Sequence, residues 1–233
     1  MREKFISLLF PRTCINCQTP GNYLCKTCKK LLTPHPEICP YCHRFSTNYQ
    51  TCLNCKTDKS HHLEWLIVVF SYQNLIKKFI LQLKYYHKHD VADFLTDRLA
   101  IALSANSSLS FHRSNILISY IPSHRFRHYF IKGYNQSKLL AQKLSEKIWF
   151  PWINIAQKTR STHTQAGLDK SQRLANLQGA FHLNNQKILD TDTILIIDDV
   201  TTTWSTINEL AKTIKSQFPK VKIRWAVLAR NNK

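Results

Sequence analysis

The sequence predicts an α/β protein, a mainly parallel sheet flanked by helices, preceded by a small cysteine-rich segment folded around metal. Three observations predict it. All eight cysteines fall between Cys14 and Cys55, as four Cys-x-x-Cys pairs. Beyond them, short aliphatic and β-branched runs alternate with stretches of helical periodicity, the pattern of strands joined by helical crossovers. One run, Ile194 to Ile197, ends abruptly in Asp198-Asp199 and then in Val200-Thr201-Thr202-Thr203-Trp204-Ser205-Thr206, as a buried parallel strand does where it surfaces at its C-terminal edge.

At 233 residues, with 43% hydrophobic and 11% aromatic content, the chain can bury one ordinary α/β domain plus an appendage and is not a disordered polymer. Thirty-three Lys and Arg against fourteen Asp and Glu give a formal charge of +19, which points to a polyanionic partner, either nucleic acid or an anionic membrane face. Eight thiolates with two divalent ions would lower that figure only to +15. No stretch reaches the roughly 18 apolar residues that a membrane helix needs. Phe5 to Phe10 is shorter than a signal peptide's apolar core and lacks a small-residue cleavage site, so a cytoplasmic location is expected. Leu8, Leu9 and Phe10 are expected to dock on the domain behind them, peripheral contact with the inner membrane being the alternative.

Residues 1–60 form the expected metal-binding segment and residues 61–233 the α/β domain. The cysteine pairs are Cys14/Cys17, Cys25/Cys28, Cys39/Cys42 and Cys52/Cys55, separated by seven, ten and nine residues. Each pair can present two thiolates to one side, and two pairs close a tetrahedral Zn–S₄ site. Sequential ribbons, the first two pairs on one zinc ion and the last two on another, are expected, with a cross-braced arrangement as the alternative. Disulfides fit poorly with the lack of a secretory signal, and paired knuckles disfavour an iron–sulfur cluster. Four-thiolate sites leave no position for water, so the two zinc ions are read as structural. No internal repeat besides the cysteine pairs is evident.

The second domain opens with a strand-like run, Leu63 to Tyr72, and Leu75, Ile76, Phe79, Ile80 and Leu83 then mark one face of a helix. Val91 to Leu103 reads as a second helix, Ala105 to Ser110 as a loop and Ile116 to Pro122 as the next strand. The loop from Ser123 to Gln136 is the most basic in the chain; no acidic residue lies between Asp97 and Glu146. Its Ser123, Arg125, Arg127, Lys132, Asn135 and Gln136, interleaved with Phe126, Tyr129, Phe130 and Tyr134, suit a sugar-phosphate backbone with stacked bases, or a pyrophosphate group. A helix from Gln136 to Ile148 and a short strand from Trp152 to Ala156 follow. The polar tract Gln157 to Ala175, with Arg160, Gln165 and Arg173, and Asn176 just after it, reads as a mobile loop able to act as a lid. Lys222 to Ala229 closes the sheet.

The Asp198-Asp199 strand feeds a helix whose apolar face is Ile207, Leu210, Ala211, Ile214 and Phe218, with Thr206 and Glu209 as an expected capping box. A hydroxyl-rich turn entering a helix N-terminus is an anion seat, because unpaired N–H groups converge there. Carboxylates ahead of it can accept hydrogen bonds from ribose hydroxyls. Phosphate plus sugar is the pattern, and it resembles the 5-phosphoribosyl-1-pyrophosphate (PRPP) loop of type I phosphoribosyltransferases. Trp204 stands where that loop has glycine; forcing a non-glycine residue into left-handed space costs about 1–2 kcal/mol, so the loop either holds phosphate in a modified geometry or no longer holds it.

Taken in order, the four cysteine pairs, Leu83-Lys84-Tyr85, the Pro122 loop running into Lys132-Gly133-Tyr134-Asn135-Gln136, the tract Arg160-Ser161-Thr162-x-x-Gln165-x-x-Leu168 with Arg173, Asn176 and Ala180-Phe181, and the Asp198-Asp199 strand resemble the ComF/GntX family. The resemblance spans Pro11 to Arg230 and implies a double zinc ribbon joined to a type I phosphoribosyltransferase-like domain, in a protein of natural competence. It implies that Asp198 and Asp199 contact ribose hydroxyls and carry the catalytic role. Thr201, Thr202, Thr203, Trp204, Ser205 and Thr206 would form the PRPP loop, with Thr202, Thr203, Ser205 and Thr206 cradling the 5′-phosphate. The loop from Ser123 to Lys132 would face pyrophosphate with Mg²⁺. Three functions follow as expectations. The first is a competence protein that binds single-stranded DNA and keeps a PRPP or nucleotide pocket. The others are an active phosphoribosyltransferase with an unknown nitrogen acceptor, and a zinc-ribbon scaffold for competence or recombination proteins.

Overall fold

The structure, a computed structural model, describes residues 12–85, 89–106, 115–123, 134–159, 177–184, 193–202 and 204–231. Strands β1 (Trp65–Ser71), β2 (Ile116–Tyr120), β5 (Thr193–Thr201) and β6 (Lys222–Arg230) form one sheet in the order β1-β6-β5-β2, every neighbouring pair parallel. Two short strands, β3 (Ala156–Lys158) and β4 (Phe181–Leu183), pair antiparallel beside it. In β5 alternate residues point to opposite faces, and both faces are covered, so the strand reads as an unbroken apolar run. Leu195 and Ile197 pack with α3 (Asn74–Tyr85), α4 (His89–Ala105) and α5 (Gln136–Ile148), while Ile194 and Ile196 pack with α6 (Ser205–Gln217) and the β3–β4 ribbon.

The cysteine-rich segment contains a structural repeat that pattern reading missed. A knuckle closed by an antiparallel bridge, Thr13 to Pro20 in the first module and Ile38 to Phe45 in the second, carries one cysteine pair. Each knuckle turns on a left-handed residue just after its second cysteine, Gln18 and His43, both at φ 62°. A four-residue helix, α1 (Lys26–Lys29) or α2 (Leu53–Lys56), then starts directly after Cys25 or Cys52. The two modules sit on opposite faces of the sheet. Cys14 and Cys28 join the apolar cluster of α3, α4 and α5, whereas Cys39 and Tyr41 join that of α6. The chain also runs along the sheet edge, with Pro34, between the modules, bridged antiparallel to Phe70, and Gln50, within the second module, bridged antiparallel to Trp65. The free edge of β1 is thereby covered, which removes a template for aggregation.

Element boundaries differ from expectation mainly at three places. The expected strand Trp152–Ala156 forms only a parallel bridge to Ile118 at the far edge and then turns into β3. The capping box is absent: α6 starts at Ser205, Trp204 is its N-cap without a side-chain cap, and Glu209 accepts instead from the Gly179 N–H at 2.8 Å. Trp204 also escapes left-handed space, with φ −71° and ψ −6°.

Candidate functional site

The crossover leaving β2 runs through α5 on one face of the sheet, and that leaving β5 runs through α6 on the other. A crevice opens beyond the C-terminal ends of adjacent parallel strands where crossovers diverge in this way, and it is where open α/β sheets bind ligands. Asp198 and Asp199 stand at this point on β5, Asn135 caps α5, and Thr201 and Thr202 lead toward α6.

Neither acid is idle. Ser137 Oγ donates to Asp198 Oδ1 at 2.7 Å, and the Asp199 N–H donates to the same oxygen at 2.9 Å. Among the described residues, Oδ2 of Asp198 accepts no hydrogen bond. Burial and the neighbouring Asp199 carboxylate push the Asp198 carboxyl up to about 7, against the hydrogen bonds it accepts and the Lys84 charge. Asp199, 7% exposed, accepts from the Val200 N–H at 2.7 Å and pairs through Oδ2 with Lys84 Nζ at 2.8 Å. Burial works against the charge on Lys84, but Asp199 and then Asp198 more than offset it and raise its pKa. Sequence reasoning quoted Lys84 only as part of a motif and passed over Ser137. Both touch the acids in space but lie far from them along the chain.

The phosphate-loop residues divide. Thr201 is buried and Thr202 exposed, whereas Thr203 lies outside the described residues. The Asn208 N–H donates to Trp204 O at 2.9 Å as the opening helical bond of α6, and helix geometry leaves the preceding amides without intrahelical acceptors. Ser205 Oγ, in the first turn, is buried without a partner among the described residues. Trp204 turns to the second cysteine module, its indole edge-on to Tyr41 at 5.2 Å and to His61 at 5.5 Å, the latter two rings stacked at 3.6 Å. The Tyr41 hydroxyl donates to Asn208 Oδ1 at 2.8 Å and accepts from the N–H groups of His62 and Leu63.

Of the basic-loop residues, Asn135 caps α5 by accepting from the Lys138 N–H at 3.1 Å, and its Nδ2 donates to Ile121 O and Ser123 Oγ. Gln136 is buried in the first turn of α5. Arg125, Arg127 and Lys132 lie outside the described residues, as do Arg160, Gln165, Arg173 and Asn176 of the polar tract and Leu8, Leu9 and Phe10. A cavity of about 460 Å³ opens beside β2, lined by Tyr120, Pro122, Ser123, Asn135, Lys138 and residues of the β3–β4 ribbon; the two acids do not line it.

The cysteines gather into Cys14, Cys17, Cys25 and Cys28, and Cys39, Cys42, Cys52 and Cys55, each set with its sulfurs within 4.8 Å of one another. The sets are sequential and not cross-braced. The Cys17–Cys25 and Cys42–Cys52 sulfurs stand 3.6 Å apart, close to the roughly 3.8 Å edge of a tetrahedron with 2.3 Å Zn–S bonds. Either set can hold a metal ion.

These features define an α/β protein with two four-cysteine modules able to hold metal, whose candidate site lies at the C-terminal edge of a parallel sheet. No protein-family model matches the chain. DNA utilization protein YhgH of Shigella flexneri is 31% identical over 212 residues, 88% of this chain and 91% of that protein. Competence protein F of Haemophilus influenzae is 30% identical over 220 residues, 87% of this chain and 90% of that protein. The chain belongs to this ComF-like family.

Proposed function

We propose that the protein handles single-stranded DNA in DNA utilization or natural competence, in the cytoplasm. On this reading the crevice between β2 and β5 holds a phosphoribosyl-bearing ligand, PRPP or a nucleotide. The observation that carries the ligand reading is the meeting, at one strand end, of an acid with an unused oxygen, Asp198, and a helix N-terminus without a side-chain cap. Asp198 Oδ2 would accept from a ribose hydroxyl, while the first-turn amides and Ser205 Oγ would take the 5′-phosphate. Asp199, committed to Lys84, would hold the strand end in place. Mg²⁺ would accompany a pyrophosphate group, and Arg125, Arg127 and Lys132 would face it or the nucleic-acid backbone. Zn²⁺ suits both four-sulfur sets, and the modules are candidate docking points for competence or recombination proteins.

The names of the relatives and the +19 charge support the nucleic-acid reading. Affinity for a fluorescent oligodeoxythymidylate should fall steeply with salt, with a log–log slope of about −0.7 per phosphate neutralised. A flat salt dependence would remove that reading. PRPP with Mg²⁺ should raise the melting temperature, and Asp198→Asn should abolish the rise. A second reading is transfer of the phosphoribosyl group to a nitrogen acceptor; it draws on the place of Asp198 at the end of β5, held by Ser137, with a carboxyl pushed up by burial and Asp199 into the range of a general base.

A further inference from the structure

Arg230, the last residue of β6, is 2% exposed. Its guanidinium stays charged at any physiological pH, and a buried charge is expensive unless something of opposite sign lies close. Among the described residues no carboxylate pairs with it. Nη2 donates to His43 Nε2, and Nη1 has no partner among the described residues. The His43 ring that accepts from it belongs to the second cysteine module, whose Cys39 is itself fully buried. His43 follows Cys42 directly, and its N–H donates to Cys39 O at 3.1 Å.

We infer that Arg230 is the fixed counter-charge of the second four-cysteine centre and makes it the tighter of the two metal sites. The inference rests on the zinc reading of both cysteine sets. Four thiolates around one divalent ion carry a net charge of −2. In a low-dielectric setting an adjacent guanidinium lowers the cost of keeping all four sulfurs ionised. Among the described residues no buried guanidinium is bonded to the first module in this way. Two neutral side chains meet its sulfurs, Asn16 Nδ2 donating to Cys28 Sγ at 3.4 Å and the Thr19 hydroxyl 3.1 Å from Cys17 Sγ, with Lys78 Nζ donating to the Asn16 carbonyl oxygen at 3.0 Å and in solvent. Water and salt screen that lysine.

The arrangement also ties the second centre to the candidate site. Arg230 pairs in register with Thr201, and the Asn231 N–H donates to Thr201 O at 2.9 Å. The counter-charge and the first residue of the phosphate loop are thus neighbours on adjacent strands.

The test uses full-length protein loaded with zinc and challenged with a graded chelator, released metal being read by an indicator dye. Two equivalents at the start establish the zinc reading by itself; fewer would sink that reading whatever Arg230 does. The wild type should release its two equivalents in unequal steps, and Cys17→Ser should lose the weaker one. Arg230→Met should weaken the tighter step about 10–100-fold, the usual effect of removing an outer-shell partner, and leave the weaker step unchanged. Arg230→Lys, which keeps the charge, should stay within a few-fold of wild type. An Arg230→Met protein that retains the tight step overturns the inference, as does an Arg230→Lys protein as weak as the Met variant. Should the Met variant not fold, the Lys variant decides by itself: wild-type retention supports the counter-charge, and loss of the tight step refutes it.

Discussion

The two aspartates at the end of β5 look equivalent in the sequence and are not equivalent in their surroundings. Asp199 is neutralised by Lys84, so Lys84→Met would leave a buried carboxylate unpaired. The expected cost is about 3–5 kcal/mol, measurable by urea denaturation; a loss below about 1 kcal/mol would mean the pair is solvated. Asp198 behaves differently. Its carboxyl, pushed up to about 7 from an ordinary value of 3.8 by burial and the neighbouring Asp199, holds the proton more tightly in the folded state. Its contribution to stability is complete below 3.8 and is lost as pH rises through about 7. Asp198→Asn, neutral throughout, should therefore exceed wild type at pH 8 by about 1–2 kcal/mol, allowing for retained hydration, and the gap should close by pH 4. Equal stabilities at pH 8 would contradict the shift.

At the scale of the element, the entry to α6 departs most from what the residue types announce. A tryptophan at a glycine position suggests backbone strain, yet Trp204 sits at φ −71° in ordinary helical space and uses its ring to contact Tyr41 and His61. Trp204→Gly therefore relieves nothing. It should destabilise the protein by about 1–3 kcal/mol, below the 3–5 typical of a fully buried ring because this one is half-exposed. A stability gain in denaturant unfolding would instead revive the strained-loop view. The capping box failed for a related reason: the tertiary fold recruited Glu209 to the Gly179 amide, and a local pairing rule cannot see a competitor supplied by another segment.

The molecule as a whole is clasped by its two cysteine modules, one on each face of the sheet with the linking chain along β1. Structural zinc sites bind with about 10–16 kcal/mol, as much as the entire stability of an ordinary domain at about 5–15 kcal/mol. On the zinc reading proposed above, stripping both ions should unfold the modules, uncover the β1 edge and drive aggregation. Circular dichroism with light scattering would register this, and a stripped protein that stays monomeric with native spectra would show the modules to be dispensable.

Period and spacing sufficed for the parallel sheet, the helices and the two cysteine sets, because hydrophobic alternation and thiolate reach are local properties that the chain carries wherever it goes. Ile194 to Ile197 declared a strand, α5 ran over the expected Gln136–Ile148, and the Cys-x-x-Cys spacing declared knuckles. Partnership was a different matter. That Asp199 belongs to Lys84, Asp198 to Ser137, Trp204 to Tyr41 and Arg230 to His43 depends on which surfaces meet once the crossovers have wound. Charge pairing and ring packing across long separations leave no periodic trace in a single chain, so these contacts were decided only when burial brought the segments together.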